Sequence, residues 1–168
     1  MILTLDVGCG HNPQGHVNVD LYTKATIHRG GDASKDCDLQ VRNIPNFVKA
    51  DATHLPFRSN VFDEVYSHHA IEHVPKPFIM LKEMVRVSSD KIFITCPHRY
   101  IGNHKSQPGH INHFNEGLFE FAISKLGVRR HKITLSQWRC FPRALARASA
   151  AGLPLIRLPT EIEITIQK

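Results

Sequence analysis

Short apolar, β-branched runs bounded by turn residues recur along the first hundred positions, at 2 to 7, 17 to 20, 47 to 50, 63 to 67 and 91 to 96, and predict five strands. Between the fourth and fifth the period lengthens: Phe78, Leu81, Met84 and Val85 fall at helical spacing within 77 to 87. The stretch NEGLFEFAISKL predicts a second helix over 115 to 126, with Leu118, Phe119, Ala122 and Leu126 inward and Gly127 stopping it. RRHKITLSQW and IRLPTEIEITIQK then alternate like a final antiparallel pair, separated by the insertion CFPRALARASAAGLP. Residues 23 to 46 are mixed, with room for a short helix in GGDASKDCDLQVRN. Strands alternating with helices read as an α/β chain built on a mostly parallel sheet.

The first strand, LTLDVGCG, ends in an acidic residue and a Gly-x-Gly turn. Gly8 and Gly10 lack a Cβ, so the main chain there can take positive φ and admit a ligand closely. Ligands of open α/β sheets bind outside the carboxyl ends of the strands, which puts the site near residues 6 to 12. A dinucleotide fold wants a third glycine and an acidic ribose ligand about 20 residues on. Here Pro13 holds the glycine position and Asp20 comes too early. Taken alone, the turn fits a tight bend as well as a cofactor loop.

Only about ten residues, HNPQGHVNVD, separate that turn from the end of the second strand, whereas a parallel crossover usually takes a dozen or more with a helix. The first crossover is therefore expected to be a loop without its helix, leaving one face of the sheet less covered. Asn12 follows the turn, and asparagine tolerates left-handed geometry.

Taken in order, DVGCG, VKADATHLPF (48 to 57), VFDEVYSHHAIEHVPKPFIMLKEMVRV (61 to 87) and KIFITCPH (91 to 98) resemble the class I S-adenosylmethionine-dependent methyltransferases, in the broad branch that holds the ubiquinone/menaquinone-type enzymes. The resemblance covers residues 2 to 98, loosens over 99 to 126 and does not extend further. It implies a Rossmann-like, mostly parallel seven-stranded sheet with a reversed final strand, and S-adenosylmethionine as cofactor. It also implies roles. The turn amides of Gly8, Cys9 and Gly10 would meet the methionine carboxylate, and Asp6 would organise the ammonium side. Asp20, followed by Leu21, would accept both ribose hydroxyls, since a carboxylate offers two acceptor oxygens to a vicinal diol. Asp51 would take the adenine amino group, Ala52 and Leu55 would form an apolar slot for the ring, and Ser67 and His68 would pass beside the methionine chain. Glu72 and His73 are expected only to start the helix that follows, where a first-turn glutamate suits the helix dipole. Relatives often carry amino-terminal helices before the first strand; their lack here implies weaker cofactor binding.

Length and composition agree with a single methyltransferase domain over 1 to 168. No run approaches the ~20 apolar residues of a membrane span and no leader is recognisable, so a cytoplasmic location is expected. Cys9, Cys37, Cys96 and Cys140 show no paired spacing, and two of them fall at cofactor-facing strand ends, which argues against disulfides. Charge divides unevenly. Residues 1 to 98, the cofactor-binding half, carry 10 Lys and Arg against 11 Asp and Glu; residues 99 to 168, the substrate-side half with its insertion near 139 to 154, carry 11 against 4. Such a field concentrates anions. Arg139, Arg143 and Arg147 would form one stripe if the insertion is helical, a candidate surface for an anionic small molecule, a lipid headgroup or RNA, or else an ordinary solvated face.

The chain holds 12 histidines. Cys96, His98, His104, His110 and His113 are spaced irregularly and match no zinc pattern, so no metal is expected. HINHF resembles the family's loop after the fifth strand, which makes His110 the candidate general base and Phe114 its packing partner. The sequence thus points to methyl transfer to a small-molecule or lipid acceptor. RNA methylation and cofactor binding without turnover are the alternatives.

Overall fold

A computed structural model describes residues 2–10, 12–23, 43–99, 109–136 and 160–168 of the 168-residue chain. Seven strands form one sheet: β1 (Thr4–Val7), β2 (Val17–Asp20), β3 (Phe47–Lys49), β4 (Phe62–His68), β5 (Ser88–Pro97), β6 (Arg130–Ser136) and β7 (Glu161–Gln167). Their order is β3-β2-β1-β4-β5-β7-β6. The first five run parallel, and β7 pairs antiparallel with both β5 and β6, placing Ile94 opposite Ile164. The mixed sheet with its reversed strand is the class I methyltransferase fold expected from the sequence, and it runs unbroken across the division in charge near residue 98.

Strand alternation sorts the two faces. Val65 on β4, Ile92 and Ile94 on β5 and Ile162, Ile164 and Ile166 on β7 are buried on one side. Helix α1 (Pro77–Val87) and helix α2 (Glu116–Ser124) contribute Met80, Leu81, Met84, Phe119 and Ile123 to the same core. Pro77 opens α1, where its fixed φ suits a first helical position. The Asn115 side chain accepts from the Leu118 amide at 2.9 Å to cap α2, and Gly127 at φ +65° lies just beyond its end. Leu118, expected inward, is instead exposed, as is Phe78 of the apolar period in α1; Met80 and Ile123 are core-facing. Phe78 and Leu118 both lie in the first turn of their helices.

The opposite face of β4 and β5 carries Glu64, Tyr66, Lys91, Phe93 and Thr95, all half-buried. Tyr66 stacks on its register partner Phe93 with ring centroids 5.2 Å apart. No helix among the described residues covers this face, in keeping with the missing first crossover helix.

That crossover is a loop between Val7 and Val17, held by polar stitches. His16 donates its amide to Thr4 Oγ1 at 2.9 Å, and its Nδ1 lies 2.7 Å from the same hydroxyl. Asn18, fully buried, accepts from the Gly15 amide and donates to the Gly15 and Pro45 carbonyls. Gly15 is required by close approach: a Cβ there would stand 2.4 Å from Val17 O and 2.7 Å from Asp6 N.

Candidate functional site

A cavity of about 600 Å³ opens at the carboxyl edge of β1, β2, β3 and β4, a size within the ~300–1,000 Å³ usual for small-ligand pockets. The turn after β1 forms its floor. Gly8 takes φ +78° and Gly10 φ +54°, and the Gly8 and Cys9 amides both donate to Val19 O, at 2.8 and 3.1 Å. A side chain at Gly8 would bring its Cβ to 2.4 Å from the Ala70 Cβ, so the glycine is demanded by both conformation and space.

Two carboxylates stand beside this turn. Asp6 is buried at 2% exposure, and its Oδ2 accepts from the Gln14 amide at 3.0 Å. Burial raises its pKa above the ordinary value, while the Gln14 amide and nearby His68 oppose that rise. Asp20 accepts from the Gly10 amide on Oδ2 at 3.1 Å and from the Tyr22 amide on Oδ1 at 2.8 Å. Both carboxylate oxygens of Asp20 thus accept from main-chain amides, which fixes the group at the cavity wall.

The far wall comes from the segment after β3. Asp51 Oδ1 accepts from both the amide and the hydroxyl of Thr53 at 2.8 Å, and the Thr53 amide is the main cause that holds Asp51 below the usual carboxylate range. Ala52 and Leu21 add apolar surface, and His68 closes the β4 side. Asp6, Gly8, Cys9, Gly10, Asp20, Leu21, Asp51, Ala52 and His68, all singled out in the sequence, thus line one cavity.

Two expected residues do not reach it. Strand alternation turns Ser67 to the opposite side from His68, where it is fully buried with its Oγ lacking a hydrogen-bond partner. Leu55 is drawn into the core, its amide donating to Glu83 Oε2 at 2.9 Å. The cavity in turn includes residues that periodicity did not single out, among them Gln14, Tyr22, Thr53, His69 and His73. Gln14 had a readable signal, since a loop too short for a helix must fold back over the strand end it leaves.

Glu72 and His73 are not the start of α1. They lie in a separate 3-10 turn, Ile71–His73, ahead of it, and Glu72 is buried at 1% exposure. The Ile111 and Asn112 amides both donate to Glu72 O at 3.1 Å, and Asn112 Nδ2 donates to Val74 O at 2.7 Å. This clamp brings His110 against the turn: its ring meets that of His73 edge-on, with centroids 4.8 Å apart. Burial lowers the His110 pKa, so the imidazole is held neutral. His110 does not line the cavity, and Phe114 packs on Phe119 at 4.9 Å. His69, at φ +47°, bonds Glu161 Oε1 through Nε2 at 2.8 Å; nearby Glu72 and Glu161 raise its pKa.

Cys9 and Cys96 are both buried; burial and the neighbouring Glu72 and Glu161 push the Cys96 thiol far above its ordinary range, which makes it unreactive. Cys37, Cys140, His104 and the Arg139, Arg143 and Arg147 stripe lie outside the described residues. Among the described residues, no helix is long and apolar enough to cross a membrane.

The family model described as "Methyltransferase domain" matches residues 5–91, just over half of the chain. A curated relative, the tRNA U34 carboxymethyltransferase of Nautilia profundicola, is 28% identical over 117 residues, which span 57% of this chain and 38% of that protein. Among solved structures, a methyltransferase from Thermotoga maritima, described as a possible histamine N-methyltransferase, superposes with a TM-score of 0.69 at 15% identity, covering 100% of this chain and 83% of its own. The Haemonchus contortus phosphoethanolamine N-methyltransferase 2, solved with S-adenosyl-L-methionine, gives 0.66 at 15% identity, over 100% of this chain and 49% of its own.

Proposed function

The chain belongs to the methyltransferase domain family and is an S-adenosylmethionine-dependent methyltransferase, and from that premise we propose that it methylates an anionic small-molecule or lipid acceptor. The observation that carries the cofactor assignment is the placement of Asp20 beside the Gly8 to Gly10 turn at one cavity wall. In this reading Asp20 holds the ribose hydroxyls, Asp51 and Ala52 receive the adenine, and Asp6 and His68 face the methionine end, while the Gly8, Cys9 and Gly10 amides, engaged by Val19 O and Asp20 Oδ2, shape the turn rather than donate to the carboxylate. The sulfonium supplies its own leaving group, so the protein's share of the rate is the in-line alignment of methyl and acceptor.

The acceptor class follows from charge. The cofactor half is close to neutral, whereas residues 99 to 168 carry 11 basic against 4 acidic residues, a field that draws anions. Arg139, Arg143 and Arg147 are assigned to that capture. The reading places the chain, as one domain, in the ubiquinone/menaquinone-type branch, working in the cytoplasm. A second reading, RNA methylation, is favoured by the same charge together with the tRNA-modifying relative, although that match spans 38% of the relative's length.

Incubating the purified protein with methyl-labelled S-adenosylmethionine and separate metabolite, lipid and RNA extracts, followed by mass spectrometry, tests the proposal. Label in an anionic metabolite or lipid supports it. Label confined to RNA selects the second reading.

A further inference from the structure

We propose that Glu72, His73 and His110 form a binding site for a divalent transition-metal ion on the wall of the cofactor cavity. One ligand atom from each of the three lies within 4.8 Å of the others, and Glu72 Oε1 stands 4.0 Å from Nε2 of both His73 and His110. The Glu72 carboxylate is 1% exposed, and neither of its oxygens has a hydrogen-bond partner. The nearest charged neighbour, His69 Nδ1, is 3.5 Å from Oε1, too far to hydrogen-bond well, and a buried carboxylate in that state is costly unless a cation sits closer.

The imidazoles are set up as ligands. His73 Nδ1 lies 2.8 Å from Gly109 O, and a carbonyl only accepts, so Nδ1 carries a proton and Nε2, on the Glu72 side, is the ring nitrogen available to a metal. Such a second bond from the far ring nitrogen orients metal-ligating histidines generally. His110 is fixed to the same turn by the Ile111 and Asn112 amides on Glu72 O. Metal bonds of about 2.0–2.1 Å put tetrahedral ligand atoms roughly 3.3 Å apart, so the separations have to close by up to about 1.5 Å.

Two imidazoles and one carboxylate suit Zn²⁺, Mn²⁺, Fe²⁺ or Co²⁺ and disfavour the all-oxygen coordination of Ca²⁺ and Mg²⁺. Three protein ligands leave coordination positions open, and one of the three, His73, lines the cavity together with the neighbouring His69. His69 Nδ1, 3.5 Å from Glu72 Oε1, is the nearest additional donor. An Nε2 that holds a metal cannot also take a proton, so this assignment replaces the expectation that His110 is the general base. It also reverses the sequence-based expectation of no metal. It is independent of which acceptor is methylated.

The experiment is a titration of chelator-treated full-length protein with Co²⁺, followed by visible absorption, and with Zn²⁺, followed by calorimetry and thermal midpoint. One ion per chain is expected, with ligand-field bands and a midpoint that rises with Zn²⁺. Glu72→Gln, His73→Gln and His110→Gln, each checked for its circular dichroism and S-adenosylhomocysteine binding, should weaken the affinity by about 100-fold or more, since even outer-shell partners of a metal site are worth 10–100-fold. X-ray absorption of the Zn²⁺-loaded wild type, which needs no variant to fold, should show two imidazoles. Absence of stoichiometric binding, folded variants that bind as wild type does, or a coordination sphere without two imidazoles would overturn the site.

Discussion

The Gly10 amide donates to Asp20 Oδ2 at 3.1 Å, tying the turn after β1 to the end of β2. One carboxylate thus braces the turn and is, in the proposed function, also the group that meets the ribose of the cofactor. Asp20→Ala should weaken S-adenosylhomocysteine binding by about 2–3 kcal/mol, the worth of a lost charge-assisted pair of hydrogen bonds. Calorimetry on both proteins checks this, and an unchanged affinity would remove Asp20 from the ribose position.

Gly8→Ala is expected to be disruptive in spite of adding one methyl group. The new Cβ would lie 2.4 Å from the Ala70 Cβ on a backbone at φ +78°, so the turn or the 3-10 segment has to move. A loss of more than about 1 kcal/mol in urea unfolding is predicted, together with weaker cofactor binding. Gly10→Ala makes the comparison, because a Cβ there meets nothing within 4 Å and only the φ +54° strain applies. Equal losses in the two would show that space at Ala70 is unimportant.

Glu83 links α1 to the segment after β3. It accepts from Arg86 Nε at 2.7 Å and from the Leu55 amide at 2.9 Å, and Arg86 foremost lowers its pKa. A carboxylate whose folded pKa is depressed contributes stability above its unfolded value near 4.5, and that contribution disappears as pH falls through the lower folded value. Glu83→Gln should therefore cost about 1–2 kcal/mol at pH 7 and progressively less below about pH 4.5. Denaturation of both proteins at pH 7 and pH 3.5 tests the sign: a gap that widens in acid would refute it.

Replacing Arg139, Arg143 and Arg147 together by Gln should leave S-adenosylhomocysteine binding intact and raise the Michaelis constant for the acceptor. The effect should be larger at low than at high salt, since screening shortens the reach of the field. For an RNA acceptor the loss would appear as a shallower slope of log affinity against log salt. A triple variant equal to wild type in each assay would make the stripe a solvated surface.

The strands and the cofactor wall were readable because they rest on local patterns: β-branched runs, a Gly-x-Gly turn, and acidic residues at strand ends. The short spacing between Val7 and Val17 was enough to exclude a crossover helix. Ser67 and Leu55 were misplaced because a family pattern marks a segment, whereas the pleat decides which neighbour faces the ligand. The Glu72 cluster was the least legible. Its members come from a 3-10 turn and a loop nearly forty positions later, and glutamate rarely goes fully inside. The His69, Glu72, His73 spacing, placing three ligand-type side chains on adjacent turns, was the available signal.

The helix-free crossover also bears on how the chain finds its fold. Leu5 pairs with Val17, a separation of 12 residues, where a strand-helix-strand unit usually spans about 30. Since ring-closure entropy grows as the logarithm of loop length, the shorter arc lowers the entropic barrier to this parallel pairing by about 0.8 kcal/mol. Parallel sheets are ordinarily slow to nucleate because their contacts are distant in sequence. Here β1 and β2 are tethered closely enough to register early, so the edge that carries Gly8, Gly10 and Asp20 belongs to the part of the sheet best placed to seed the rest.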